Sequence, residues 1–471
     1  MCLPYRLLSF HPSEIRLREL SFRLILVSNS YYFANFEHLK FMQYGKNTEY
    51  IQPLLPYTVC SLLIHALKAN LQEKKMKKTA LALLIFSNLA NASGLLLQEA
   101  VTANAGTAGA GDGVYTETAT AGYTNPATMS HMGEQKTTIN TMALYLQMDY
   151  TDASNDSSLL NTPDGDASAD TLMPSIGIFH VRQVTENTHV GINFGAIGGS
   201  SIEYGNDWDG ANHLDKAFMS ALQLNPNISY QLDDNWSIAA GVQINYGLIE
   251  VSTTGFESDM GTDWAFGYNA GAMYKAEQWA LGLSYRSKLI HDFDDISASL
   301  VNGSNAIVGT ELVVPAITDI SASYDLNAQV TLLSSIQFHQ WSEFSETPVY
   351  NDTLNSAPAL PQAIDRDWED VWKFAVGVDY QLNSAWDLKA GFSYETSPQD
   401  DPTKQWVDLP VGEQYRYSLG ASTYWNSTRV DIFYEYADFG TMEIDRSSKP
   451  YTQIQGKFEG SIHFVGANFT F

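Results

Sequence analysis

Trp372-Lys373-Phe374-Ala375-Val376-Gly377-Val378-Asp379-Tyr380-Gln381-Leu382-Asn383-Ser384-Ala385-Trp386 is the stretch that decides the fold. Successive side chains of a strand point to opposite faces. Trp372, Phe374, Val376, Val378 and Tyr380 therefore share one face, and Lys373, Ala375, Gly377 and Asp379 share the other. A short polar turn follows Tyr380, and Trp386 opens the next strand. The same unit recurs at Tyr230–Trp236, Tyr274–Trp279, Tyr324–Val330 and Tyr424–Val430. After Trp236, Ile238, Ala240, Val242, Ile244 and Tyr246 again oppose Ser237, Ala239, Gly241, Gln243 and Asn245. Between the tight turns the chain makes long polar excursions, near 151–170, 200–217, 250–262, 289–311, 342–366, 397–410 and 440–456. Short turns at one end, long loops at the other and aromatic residues at the short end predict an all-β, transmembrane, antiparallel up-and-down β-barrel. A soluble sandwich shares the period of two but not the loop asymmetry.

Fourteen strands are expected, starting near Lys136, Thr171, Asn187, Phe218, Trp236, Thr262, Glu277, Leu312, Asn327, Asp367, Trp386, Val411, Thr428 and Lys457. Each can supply the roughly 9–11 residues that a tilted strand needs to cross a bilayer. An even number suits a single-chain bacterial barrel, and a monomer is expected. The chain ends Val465-Gly466-Ala467-Asn468-Phe469-Thr470-Phe471. A last strand closing on a terminal aromatic makes Phe471 the candidate signal for the outer-membrane barrel assembly machinery.

Charge divides the chain. Of its 26 Lys and Arg and 53 Asp and Glu, residues 1–92 hold 11 and 5, leaving 15 basic and 48 acidic groups beyond them. Both cysteines, Cys2 and Cys60, also lie in the front part. Met76-Lys77-Lys78, the apolar run Thr79–Leu89 and Ala90-Asn91-Ala92 have the layout of a secretory signal peptide. Residues 76–92 are thus expected to be the signal, residues 1–75 a non-native extension from an over-extended start, and Ser93 the mature N-terminus. A cysteine-free exported chain suits an oxidising envelope. The acidity excludes nucleic acid as a partner, because phosphates need basic patches. It suits outer loops that face lipopolysaccharide and outer-membrane lipid across shared divalent cations.

Residues 93–135 do not alternate. They carry Gly106-Thr107-Ala108-Gly109-Ala110-Gly111-Asp112-Gly113 and Asn125-Pro126-Ala127. Such a segment is too small for its own core. The lumen of a fourteen-strand barrel is wider than its own side chains fill, so it is open or plugged. An N-terminal hatch over 93–135 inside a barrel over 136–471 is the expectation.

These motifs carry a resemblance. Ser93-Gly94-Leu95 with Glu99-Ala100, the glycine-rich run, and Asn125-Pro126-Ala127 resemble the hatch of the FadL-type long-chain fatty acid transporters, a group that includes toluene-type hydrocarbon channels. Gln340-Trp341-Ser342-Glu343-Phe344, Asp367–Lys373 and Gly391–Pro398 extend the resemblance over residues 93–471. It implies passive uptake of long-chain fatty acids or related hydrophobic molecules, without ATP or a redox centre. It also implies capture by outer loops, a pocket near the hatch, and exit through the wall at a kinked third strand beside Asn125, Pro126 and Ala127. Gly195, Gly198 and Gly199 are the candidate kink, since glycine inside a strand marks a bulge or bend. An aromatic or alkane hydrocarbon channel is the alternative of the same kind; a structural or adhesive barrel is the alternative of another.

A fatty acid needs an apolar path with one or two cationic groups. Gly282, Ser284, Arg286 and Lys288 share a face of the seventh strand, which makes Arg286 and Lys288 candidates for the carboxylate; Lys373 and Arg416 fall on inferred lumen faces too. Leu214, Ala217, Phe218, Ala221 and Leu222 lie at helical spacing, so a loop helix presenting Leu214, Phe218 and Leu222 to ligand or to packing is expected. Asp164-Gly165-Asp166-Ala167-Ser168-Ala169-Asp170 lacks the spacing of a calcium loop. No zinc spacing and no cysteine nucleophile occur after Ser93, and the seven histidines there are scattered. The reading is neither enzymatic nor cofactor-dependent, with no metal site.

Overall fold

Alternation builds the wall. The computed structural model describes residues 98–153, 165–351, 363–448 and 453–471. The expected signal peptide, the residues before it and Ser93-Gly94-Leu95 lie outside these, as does Asp164. The wall strands are β1 (Gln135–Asp152), β2 (Ala167–Thr185), β3 (Thr188–Glu203), β4 (Lys216–Gln231), β5 (Trp236–Ser252) and β6 (Gly261–Lys275). β7 (Trp279–Arg286, continued as Leu289–Leu300) and β8 (Asn305–Val314, continued as Ile317–Asn327) follow. β9 (Val330–His339), β10 (Val371–Asn383), β11 (Trp386–Glu395), β12 (Gln414–Trp425), β13 (Thr428–Asp445) and β14 (Gln455–Thr470) complete them. Neighbours in sequence pair antiparallel all the way round. β14 then pairs with β1, from Thr138↔Thr470 to Asp152↔Gly456, and closes a fourteen-strand barrel.

The faces follow the sequence. Ile238, Val242, Trp372, Phe374 and Val376 point outward and are exposed, while Ser237, Gln243, Asn245, Lys373 and Ala375 point inward and are buried. At the end bearing the short turns, Tyr230, Trp236, Trp279, Tyr324, Trp386 and Tyr424 form an exposed aromatic rim. Trp236 and Trp279 each pack on Tyr274, at ring separations of 4.9 and 5.0 Å. Such rings belong at a membrane interface.

Two expectations are corrected. Leu214–Leu222 does not form a helix. Lys216–Gln231 is strand, with Ala217, Met219 and Ala221 inward and buried while Phe218 and Leu222 fall on the opposite face. Only Leu214, in the loop before β4, is buried, where its carbonyl accepts from the Trp208 indole at 3.0 Å. Residues 289–311 are not a loop either. They form the outer halves of β7 and β8, paired from Val314↔Leu289 to Asn305↔Ser299.

The lumen holds the segment from Gln98 to Glu134, four short helical turns joined by irregular chain. Val101, Ala103, Ala121 and Met129 pack with Phe179, Val181, Ile197 and Leu289 of the wall. Glycines let backbones meet. Gly106, at φ 101°, would place a Cβ 2.5 Å from the Cα of Gly420 on β12, and a Cβ on Gly391 of β11 would overlap the Thr107 backbone. Overpacking a tight contact costs about 1–3 kcal/mol. Gly391→Val is therefore expected to loosen this turn of the hatch and spare the wall. Limited proteolysis should cut the variant near residues 105–112 while its heat-modifiable mobility on gels stays that of the parent.

Candidate functional site

Between hatch and wall lies a small cavity of about 50 Å³. Gln98, Glu99, Val101, Thr102, Asp112 and Tyr123 form its hatch side. Ile197 of β3, Arg286 of β7, Asp319 of β8, Gln337 of β9, Lys373 of β10 and Glu435 of β13 form its wall side. The lining mixes a few apolar surfaces with two cations and several acids.

The hatch is shaped by two polar anchors. The Asp112 carboxylate accepts from Thr102 Oγ1 (3.0 Å) and from the amides of Ala103 and Asn104 (2.9 Å each), which folds the glycine-rich run back on itself. Its burial pushes the carboxyl above its ordinary range. Asn125 Nδ2 donates to the carbonyls of Gly113 (2.9 Å) and Ala272 (3.1 Å), and its Oδ1 accepts from the Ala127 amide at 3.1 Å. The side chain fits because Gly271 and Gly282 of β6 and β7 leave room for it. Asn125 therefore docks on β6 and β7. Pro126 starts the helical turn Pro126–His131, which carries Met129 to Gly191 of β3.

The four cations proposed from sequence separate into three roles. Arg286 is buried; its Nη1 donates to the Tyr123 carbonyl (2.7 Å), its Nη2 to Gln243 Oε1 (2.9 Å), and the guanidinium lies 3.9 Å from the Tyr123 ring centre. Lys373 is buried too and donates to Gln98 Oε1 at 2.8 Å. Neither pairs with a carboxylate among the described residues. Arg416 does: Nε donates to Glu99 at 2.9 Å and Nη1 to Glu395 at 3.2 Å, with Glu435 at 3.9 Å. Its charge is used to hold the hatch. Lys288 is not in the lumen. Alternation breaks at Ser287-Lys288 between the two halves of β7, so Lys288 turns outward and pairs with Glu343 at 2.7 Å.

Glycines of the third strand border an irregularity. Register in the β3–β4 ladder slips between Ala196 and Gly198, leaving Ile197 as an extra, inward residue at the cavity wall. The β2–β3 ladder ends at Gly177↔Gly195, although β2 continues to Ala167 and β3 to Glu203. Beyond Gly195 these two neighbours share no ladder. Pro174, opposite Ala143 of β1, lies on the stretch of β2 that has no ladder to β3. Gly199 sits where a Cβ would come 3.0 Å from the Met219 carbonyl of β4.

Sequence reasoning missed Gln98, Tyr123, Ile197 and Asp319 as cavity residues, and a second buried charge cluster. There Lys389 and Arg429 meet Asp431 at 3.1 Å each and both donate to the hydroxyl of Tyr115 in the hatch. Hatch residues follow no periodicity, so no pattern exposes them. Lys389 could have been found from its inward parity on β11.

Comparison with known proteins agrees with this architecture. A family profile described as outer membrane protein transport protein (OMPP1/FadL/TodX) matches residues 83–471. The chain is 23% identical over 415 residues to Outer membrane protein P1 of Haemophilus influenzae, across 76% of this chain and 88% of that one. It is 22% identical over 451 residues to a long-chain fatty acid transport protein of Escherichia coli, across 83% and 97%. Among solved structures, a Pseudomonas aeruginosa FadL homologue matches with a TM-score of 0.71 at 18% identity, covering 80% of this chain and 99% of that one. The Pseudomonas putida toluene transporter TodX matches at 0.57 and 13%, covering 81% and 99%. A family match over most of the chain joins a closed barrel with an occupied lumen, and the chain therefore belongs to the FadL/TodX family of outer-membrane transport proteins for hydrophobic compounds.

Proposed function

We propose that this protein takes up long-chain fatty acids passively across the outer membrane. The carrying observation is the pair Arg286 and Lys373, two buried cations that form no ion pair among the described residues and line one cavity with the bulged Ile197. A buried charge is costly unless compensated, and a carboxylate is the natural counter-ion for a guanidinium. An alkane or toluene brings no such group, so the lining favours the acid over a pure hydrocarbon.

In this reading the ligand's carboxylate enters between Arg286 and Lys373. Arrival at Lys373 competes with the bond it donates to Gln98 Oε1, the residue next to Glu99 on Arg416. Ligand binding thereby loosens the first turn of the hatch, which is the gating step. The tail then leaves past Ile197 through the unpaired seam between β2 and β3, directly into the bilayer. Consumption of ligand inside the cell supplies the direction, and the protein works as a monomer.

Two measurements test this. In a strain lacking its own fatty acid uptake, this protein should restore uptake of labelled oleate. The double variant Arg286→Gln with Lys373→Gln should lower that uptake by about tenfold or more, since each charge-assisted hydrogen bond contributes roughly 1.5–3 kcal/mol. Toluene uptake should change little; loss of toluene and retention of oleate would instead favour the hydrocarbon channel. Deleting Ile197 removes the bulge and should let β2 and β3 pair further. Oleate uptake is then expected to fall sharply in a barrel that is still heat-modifiable, and unchanged uptake would sink the lateral exit.

A further inference from the structure

Arg286 and Lys373 stand on β7 and β10, and one carboxyl group lies on the wall between them. The ladders fix its place. Asp319 of β8 pairs with Ser284, two residues before Arg286 on β7. On its other side it pairs with Gln337 of β9, which pairs in turn with Lys373. Asp319 lines the same cavity as both cations and is 3% exposed. Its oxygens meet neutral donors: Oδ1 accepts from Ser321 Oγ at 2.7 Å and Oδ2 from Gln337 Nε2 at 2.9 Å. It forms no ion pair among the described residues. The other acids of the cavity are engaged differently. Asp112 takes the hydroxyl and the two amides that fold the hatch, Glu99 holds Arg416, and Glu435 lies 3.9 Å from Arg416. His339, on the same face of β9, meets Gln337 Oε1 at 3.0 Å rather than Asp319.

A carboxylate buried among neutral partners is costly, and such a group keeps its proton instead. The same cost faces the ligand. A carboxyl group in water is ionised at neutral pH, whereas a charge inside a bilayer is expensive. A fatty acid that arrives from water and leaves into hydrocarbon therefore has to gain a proton on the way.

We propose that Asp319 is the proton donor that discharges the ligand before it leaves the cavity. The proposal rests on the fatty-acid reading above and adds the release step to it. The anion settles between Arg286 and Lys373. The O–H bond of Asp319 breaks, an O–H bond forms on the ligand's carboxylate, and no electron changes hands. Asp319 then carries the negative charge and takes over as counter-ion to the two cations, which frees the head group. A proton from water resets Asp319 once the neutral acid has gone.

The test compares cells producing the parent protein, Asp319→Asn or Asp319→Glu, with amounts matched by the heat-modifiable band. Each takes up labelled oleate or labelled oleyl alcohol, which has the same tail and a neutral head. Asparagine keeps the shape of the side chain and has no acid proton to give. Asp319→Asn is expected to lower the maximal rate of oleate uptake by about tenfold or more. The half-saturating concentration should not rise, and uptake of the alcohol should be kept. Asp319→Glu should retain most of the oleate rate. Oleate uptake at the parental rate in Asp319→Asn, or equal losses for oleate and the alcohol, overturns the proton step and leaves Arg286 and Lys373 standing. Should the asparagine variant not assemble, infrared spectra of the purified parent protein with bound decanoate supply the answer. The carboxylic-acid band should shift when the decanoate carries an isotope label at its carboxyl carbon, and a band indifferent to the label overturns the step. A parent protein that takes up no oleate removes the fatty-acid reading itself, and this step with it.

Discussion

Hydrocarbon offers no hydrogen-bond partner, so every amide and carbonyl in a membrane wall needs another strand beside it. Everything else in this molecule depends on that constraint. It forces β14 to return to β1 and close the ring. It confines irregular chain to the lumen, where the hatch sits among polar side chains instead of lipid. It also gives weight to a seam that departs from it, where β2 and β3 lose their ladder beyond Gly177↔Gly195. Unpaired backbone at a lipid boundary is unfavourable, and the Ile197 bulge adapts one of the two edges to it. A seam of this kind beside a cavity is a reason to look there for the exit.

Charge is distributed with the same economy. The hatch is fastened to three neighbouring strands, by Glu99 on Arg416 of β12 and by Tyr115 on Arg429 of β13 and Lys389 of β11. Between these fastenings the contacts are small residues and backbone, as where Gly106 meets Gly420. Breaking a buried pair is costly because the remaining charge is stranded. The hatch is therefore firmly seated overall, and the neutral amide of Gln98, which accepts from Lys373, is the weaker contact beside the Glu99 fastening.

The wall was legible in the sequence because lipid imposes a local rule on every second residue. Trp372, Phe374 and Val376 announce their face without knowledge of any partner. The rule fails where lipid ends. Above the membrane the outer face of β7 meets water, so Asp292 and Asp294 point outward while His291 and Phe293 point in. Acidic residues there disguised a strand as a loop. Leu214–Leu222 misled differently, since apolar residues on both faces of a strand can mimic a helical stripe. Lys288 was misplaced because the break at Ser287 shifts parity, and a break cannot be read from parity alone. The contacts of the hatch with the wall were invisible for a deeper reason: many join residues hundreds of positions apart, as Gln98 joins Lys373, and no local period encodes such pairs.

The central claim is that the inner cavity orients an anionic amphiphile with its head at Arg286 and Lys373 and its tail toward the β2–β3 seam. Crystals grown with a fatty acid brominated at its terminal carbon test this most directly through anomalous scattering. The account predicts a bromine peak next to Ile197, with the carboxylate within hydrogen-bond distance of Arg286 or Lys373. A ligand lying the other way round, with bromine against Arg286, or a cavity left empty while bromine appears elsewhere on the protein, would contradict it.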